Sequence, residues 1–216
     1  VRLDDAVERV LDETHRALNP AAANALRLLA SQPFPSFGRD AVAAVVGSDE
    51  LTVDALIAEL AATSMVTQPS LGRIAFHALV RAHARARSLD ADRPSARETA
   101  LDRVLEHFAV MTRAAAEANT TRRIDPPRHP LRTTPPQLDA VDAATWLDAN
   151  FENLLIASAP DCAAVRPTIA IELAENVAWF VERRSLHLQA FVVADRALEA
   201  ARRLGDDFGE GLIEII

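Results

Sequence analysis

Lysine and tyrosine are missing from this sequence, cysteine occurs once and glycine only six times. All 23 basic residues are therefore arginine, which excludes Schiff-base chemistry and any phosphate loop that needs a lysine. The lone Cys162 excludes an intramolecular disulfide and a cysteine-built metal cage, the pattern of a reducing compartment. No apolar run approaches the roughly 18 residues of a membrane span, and no basic-then-apolar leader opens the chain. A soluble, cytoplasmic protein with no membrane partner is expected. The signatures G-x-x-x-x-G-K-[ST], G-x-S-x-G, H-E-x-x-H and C-x-x-C are absent as well, so the chain is expected to be no enzyme by itself.

What is present points to helices. Half of the residues are apolar but only 5% are aromatic, so the apolar mass is Ala, Val, Leu and Ile, the composition of packed helices. A length of 216 residues suits two small domains. The net charge of -8 disfavours broad contact with a phosphate backbone.

Along the chain, Leu3, Val7, Val10, Leu11 and Leu18 recur at helical spacing until Asn19-Pro20, and Pro20 can open a second helix that carries Leu26, Leu28 and Leu29. Pro33-Phe34-Pro35-Ser36-Phe37-Gly38 reads as a stiff apolar connection. Two further helices are expected, Arg39 to Val46 ended by Gly47, and one after Asp49 with Val53, Leu56, Ile57 and Leu60 on one face. Met65 to Gln68 and Arg73 to Phe76 read as short strands about the turn Pro69-Ser70-Leu71-Gly72. Three helices and a hairpin, in that order, are the plan of a winged helix.

A helix from His77 to about Ser88 follows, and Ser95 with Glu98 forms a capping box for a longer one. Five of the twelve prolines fall between Thr120 and Asp139, at Pro126, Pro127, Pro130, Pro135 and Pro136, so this stretch is expected to be an extended loop or linker. Helical periodicity resumes in Ala143 to Ala159, Arg166 to Glu182 and His187 to Arg203. A final helix bears Phe208, Leu212, Ile213, Ile215 and Ile216, an apolar end expected to pack under a following helix as in a helical-hairpin array. The predicted fold is mainly α: a winged-helix domain with an N-terminal helix over 1–90, a linker helix and Pro-rich loop over 91–139, and a helical repeat-like domain over 140–216.

Three stretches carry a resemblance. Leu28 to Phe37 is similar to an apolar helix ending in a proline-containing turn with phenylalanine, and Gly72-Arg73-Ile74-Ala75-Phe76-His77-Ala78-Leu79-Val80-Arg81 resembles an R-x-x-F-H-D-L-hydrophobic-R segment. Thr145-Trp146-Leu147-Asp148-Ala149-Asn150-Phe151-Glu152-Asn153-Leu154 resembles a W-L-x-x-E-x-x-N-L helix, with Asn150 where an acid is usual. Together they resemble the back half of NB-ARC-type signal-transduction ATPases, especially bacterial multidomain transcriptional regulators. There a nucleotide-binding domain is followed by a winged helix and then by tetratricopeptide-like repeats.

The resemblance implies that His77 reaches the β-phosphate of ADP held by an upstream nucleotide-binding domain absent from this chain. Arg81, one turn on, joins it as a candidate phosphate contact, and ADP or ATP is the cofactor implied for the longer protein. Where the family usually has Asp, this chain has Ala78, which removes a carboxylate able to cap the helix or pair with an arginine of the adjacent domain. Residue chemistry alone leaves open a strand-end histidine satisfied by backbone. Trp146, Trp179 and Phe180 are candidate partner-binding residues on the helical repeats, for a protein or a small effector; core packing is the alternative. No metal site is expected, since His77 and His83 are six apart and do not share a tight helical face.

Two other functions compete with a nucleotide-switched regulator: a DNA-binding winged-helix regulator with a helical effector domain, and a non-catalytic interaction scaffold. Charge bears on the first. Between Arg39 and Arg73 there is no basic residue, while Asp40, Asp49, Glu50, Asp54 and Glu59 are acidic. Such a surface repels phosphate, so nucleic acid binding through this chain is not expected.

Overall fold

Asn19 caps the helix that Pro20 opens. In the computed structural model, which describes residues 3–70, 72–119 and 129–213, Asn19 Oδ1 accepts from the Ala22 N–H at 2.9 Å. Pro20 takes the first helical position, where a missing N–H is no loss. The joint separates α1 (Leu3–Ala17) from α2 (Pro20–Ser31). Leu71 of the expected turn, Pro126 and Pro127 of the Pro-rich stretch, and Ile215 and Ile216 of the final apolar run lie outside the described residues.

The chain comprises two compact units, Val1–Val104 and Leu105–Ile216. In the first, α2 is followed by β1 (Ser36–Gly38), α3 (Arg39–Val46), α4 (Glu50–Ala62), β2 (Thr67–Ser70), β3 (Arg73–Ala75), α5 (Ala78–Ala91) and the start of α6 (Pro94–Asn119). The antiparallel sheet has the order β1-β3-β2, with Phe37 opposite Ile74 and Thr67 opposite Ala75. This is winged-helix topology, with one strand more than the expected hairpin. Ser36 to Gly38, read from sequence as part of a stiff connection, pairs with β3 across its whole length.

The fully buried side chains of this unit include Leu26, Leu29, Phe34, Phe37, Leu60, Met65 and Ile74, each worth about 1.5–3 kcal/mol of transfer free energy. Phe34 and Phe37 meet edge to face with centroids 6.2 Å apart, and Phe37 meets Phe76 likewise at 6.4 Å. Gly47 ends α3 in the left-handed region at φ 74°, and its N–H bonds to the Ala43 carbonyl at 2.7 Å. A Cβ there would stand 2.7 Å from Arg103 Nη1, so glycine meets both a backbone and a space requirement.

The long helix α6 begins at Pro94 rather than at an Ser95 cap: Ser95 is already helical, and its carbonyl accepts from Thr99 Oγ1 at 2.7 Å. Proline at the first position supplies the start signal instead.

The second unit continues with α7 (Ala140–Ala157), α8 (Pro160–Ala163), α9 (Ile169–Arg183), α10 (His187–Leu204) and α11 (Asp207–Ile213). Asp139 caps α7, its Oδ1 accepting from the N–H groups of Val141 and Asp142, both at 2.8 Å. Helices α9 and α10 form a hairpin whose seam is alanine-rich: Ala170, Ala174, Ala197, Ala200 and Ala201 are buried together with Ile171, Val193 and Ile213. Small side chains let the helices approach closely.

Residues 129–139 form an extended loop, held at one point by a buried acid. Glu106, only 6% exposed, accepts the backbone N–H of Arg132 at 2.5 Å and of Thr133 at 3.3 Å. Its other oxygen receives Arg166 Nη1 at 2.6 Å, and Arg166 also reaches Glu172 at 2.9 Å. Thr168 Oγ1 donates to Glu172 as well. Buried charge is thus paired and hydrogen-bonded, as a low-dielectric interior demands.

Candidate functional site

The residue at the join of β3 and α5 is His77. It is the N-cap of α5, with φ −65° and ψ 142°, and its carbonyl accepts the Arg81 N–H at 3.0 Å. Its imidazole makes no capping hydrogen bond and is exposed, as is Ala78 behind it. The first turn of α5 therefore carries N–H groups with no side-chain cap and the partial positive charge of a helix start, beside a free-standing imidazole. A phosphate is the kind of group such an end accepts.

Arg81 faces a different way. Its Nη2 donates to the carbonyls of Phe34 and Pro35, and its guanidinium lies 5.2 Å from the centre of the Phe76 ring. Burial, and secondarily Arg85, lower its pKa from the ordinary arginine value. The side chain ties α5 to the loop before β1. Nothing in the i+4 spacing announces this, because its acceptors lie 46 and 47 residues away. Arg85 is exposed.

Helix α4, in the recognition position of a winged helix, turns Glu50, Leu51, Asp54, Ala55 and Ala58 outward, and Leu51 is 83% exposed. The nearest base, Arg39, is clamped by two carboxylates: Nε and Nη2 reach Asp54 at 2.5 and 2.7 Å, and Nη1 reaches Glu50 at 2.8 Å. That bond holds the Asp54 carboxyl below its ordinary pKa. On β3, Arg73 is half-buried and donates to Ser36 Oγ at 2.7 Å. Among the described residues of this face, no arginine is left to meet a nucleic-acid backbone.

In the second unit, Trp146 is half-buried on α7 and makes edge contacts with His107 and Phe108 of α6, with centroids 6.1 and 6.4 Å apart. Phe180 is buried between Phe151, at 5.5 Å, and Trp179, at 5.8 Å, with the Arg184 guanidinium 5.7 Å from its centre. Trp179 is half-buried, and its Nε1 has no hydrogen-bond partner. It borders two concavities. One, of about 720 Å³, is mostly apolar and includes Val177, Val181, Ala190 and Phe191 with Glu182 and His187; the other, of about 510 Å³, includes Thr145, Asp148, Phe180, Arg183 and Arg184. Trp179 and Phe180 are thus brought together, whereas Trp146 lines neither concavity.

Sequence reading missed Leu188 and Phe191 of α10, which are 73% and 70% exposed. The signal was there: Val193, Ala197, Ala200 and Ala201 define the buried stripe, and both residues fall off it. Cys162 is buried, and burial pushes its thiol up to about 11, away from thiolate reactivity. Among the described residues, no group of three His, Cys, Asp or Glu could hold a metal ion, and no helix is long and apolar enough to cross a membrane.

With this geometry in view, the similarities are to bacterial regulatory proteins. The chain is 30% identical over 208 residues to the regulatory protein AfsR of Streptomyces griseus, a match that takes in 94% of this chain and 21% of that protein. It is 36% identical over 109 residues to the regulatory protein AfsR of Streptomyces coelicolor, covering 49% of this chain and 11% of that protein. The chain thus spans about a fifth of the length of the first relative. No family model matches the chain, and no solved structure matches it.

Proposed function

We propose that this chain is the regulatory segment of a longer, cytoplasmic bacterial transcription regulator switched by nucleotide. The winged helix closes over ADP held by a separate nucleotide-binding domain, and the helical unit, read as the start of a tetratricopeptide-like array, senses a protein or small effector. The carrying observation is His77: an exposed imidazole at the uncapped start of α5, suited to a phosphate brought by another domain. Similarity to regulatory proteins about five times as long supports a segment that acts with further domains. ATP hydrolysis belongs, on this reading, to the nucleotide-binding domain.

Arg81, already bonded to the carbonyls of Phe34 and Pro35, serves by holding α5 in place and leaves the phosphate contact to His77. Ala78 supplies no carboxylate, so the latch rests on the imidazole and the helix end. In a longer protein that includes the nucleotide-binding domain, His77→Ala weakens ADP binding roughly tenfold, the effect of one hydrogen bond to a charged group. Titration calorimetry reads this directly. Equal affinity in the two proteins would refute the latch.

On the helical unit, Trp179 and Phe180 beside the concavities are the effector-sensing candidates, with Trp146 holding α7 on α6. The acidic face of α4, with Arg39 bound to Asp54 and Glu50, makes this winged helix a packing and switching module. The chain accordingly produces no shift of duplex DNA in a mobility assay at about 50 mM salt, where phosphate contacts are strongest. A salt-dependent shift would return the DNA-reading alternative to first place.

A further inference from the structure

Two histidines outside the proposed latch meet where α1 rests on α5. The His15 and His83 rings lie edge to face, with centroids 5.8 Å apart. The His83 side chain is only 6% exposed, its Nε2 has no hydrogen-bond partner, and the nearest carboxylate oxygen, Asp12 Oδ1, stands 3.6 Å away. Asp12 is already engaged: Arg87 Nη2 reaches the same oxygen at 2.6 Å, and Arg16 reaches the other at 3.5 Å.

The apolar hold on α1 is slight. No residue from Ala6 to Ala17 is buried, and Val10 is 60% exposed. Val7 and Leu11 are half-buried, so the polar cluster shares the seam with a thin apolar contact. Around the two rings stand Glu8, Asp12 and Arg16 of α1, Arg27 of α2 and Arg87 of α5. Asp92 follows α5 and binds Arg27 Nε at 3.0 Å and Nη2 at 3.1 Å. Three carboxylates face three guanidinium groups. That balance holds while both imidazoles are neutral; protonation adds two positive charges beside an Asp12 already bridged by Arg87 and Arg16, with the exposed Glu8 the facing acid that is not so bridged.

We propose that His15 and His83 form a proton-operated latch, with α1 docked on α5 when both rings are neutral and released when they are protonated. Burial, and for His15 also Arg27, holds both pKa values below the ordinary 6.5, a lowering that the Asp12 charge does not overcome. The sign follows. The released helix binds protons more readily than the docked one, so docking is at full strength above about pH 6.5 and weakens as pH falls below that value. The latch operates whether or not the nucleotide reading holds.

Hydrogen exchange on the 216-residue chain at about pH 7.5 and about pH 5.5, corrected for intrinsic rates, tests it. Protection of α1 amides falls at the lower pH, by up to about tenfold per pH unit for each histidine, while α2 amides keep theirs. The double variant His15→Gln/His83→Gln loses this pH dependence. An unchanged α1, an equal fall in the double variant, or an equal loss in α2 would each overturn the latch. If the double variant does not fold, imidazole titration of the unaltered chain by NMR decides: both rings must titrate below about 6.5, and either one at or above it refutes the proposal.

Discussion

Glu106→Ala destabilises the Leu105–Ile216 unit by about 3–5 kcal/mol, the usual consequence of removing one partner from a buried ion pair. Four contacts vanish together, among them the ion pair with Arg132 Nε at 3.5 Å. The backbone N–H groups of Arg132 and Thr133 lose their carboxylate, and Arg166, 11% exposed at its side chain, loses one of its two. Glu172 remains to Arg166 but is already shared with Thr168, so it does not replace the missing charge. Trp146 and Trp179 both lie in this unit, which makes tryptophan fluorescence in urea the suitable readout. Glu106→Gln, which retains an acceptor for the two N–H groups but not the charge, falls between. A midpoint in Glu106→Ala within experimental error of the unaltered chain would show that the network contributes little.

The second large effect concerns Phe37→Ala, expected to cost about 3–5 kcal/mol in the Val1–Val104 unit. The ring is fully buried, touches Phe34 and Phe76 edge to face, and sits on β1 opposite Ile74. Its loss opens a cavity where the helical core meets the sheet, and the surrounding side chains cannot all move to fill it. This unit has neither tryptophan nor tyrosine, so hydrogen exchange of the α2 and α3 amides, or the thermal transition of the helical circular dichroism, is the measurement. Phe37→Leu keeps most of the volume and loses less. Equal stability of Phe37→Ala and the unaltered chain would mean that β1 is dispensable to the fold.

These two residues mark the limits of sequence reading. Phe37 belongs to Pro33-Phe34-Pro35-Ser36-Phe37-Gly38, which is too short to display an alternating pattern and whose two prolines read as a connection. Its strand character comes from β3, whose free edge accepts it. Glu106 on α6 is one acid among several on a long helix, and its partner Arg166 lies 60 residues away. The proline-rich stretch gave the same lesson: composition predicts an extended loop or linker, and residues 129–139 have no helix or strand, but that Glu106 holds Arg132 and Thr133 by their backbone was not legible. His15 and His83 meet only because α1 crosses α5.

Of the candidate site, His77 was legible, since a β-turn-β segment running into an apolar helical pattern places its last polar residue at the cap. The direction taken by Arg81 was not. Spacing put it on a stripe with His77 and Arg85, but its guanidinium turns inward to the carbonyls of Phe34 and Pro35.

By itself, the sequence determined the longer helices and several of their ends, though not the Pro94 start of α6, the Asp139 cap of α7 or the short α8. Asn19-Pro20, Gly47 and Asp49 act on backbone groups within a turn of themselves, and leucine and alanine periodicity sets the buried face. It also determined the acidity of the α4 face, because charge is counted without knowing the fold. Only the tertiary structure decided which polar groups meet: Arg81 with the loop before β1, Glu106 with Arg166, and His83 with His15 and Asp12. Such pairs are selected by chain topology and by the cost of leaving a buried charge or donor unmatched, and neither is encoded in the spacing of neighbouring residues.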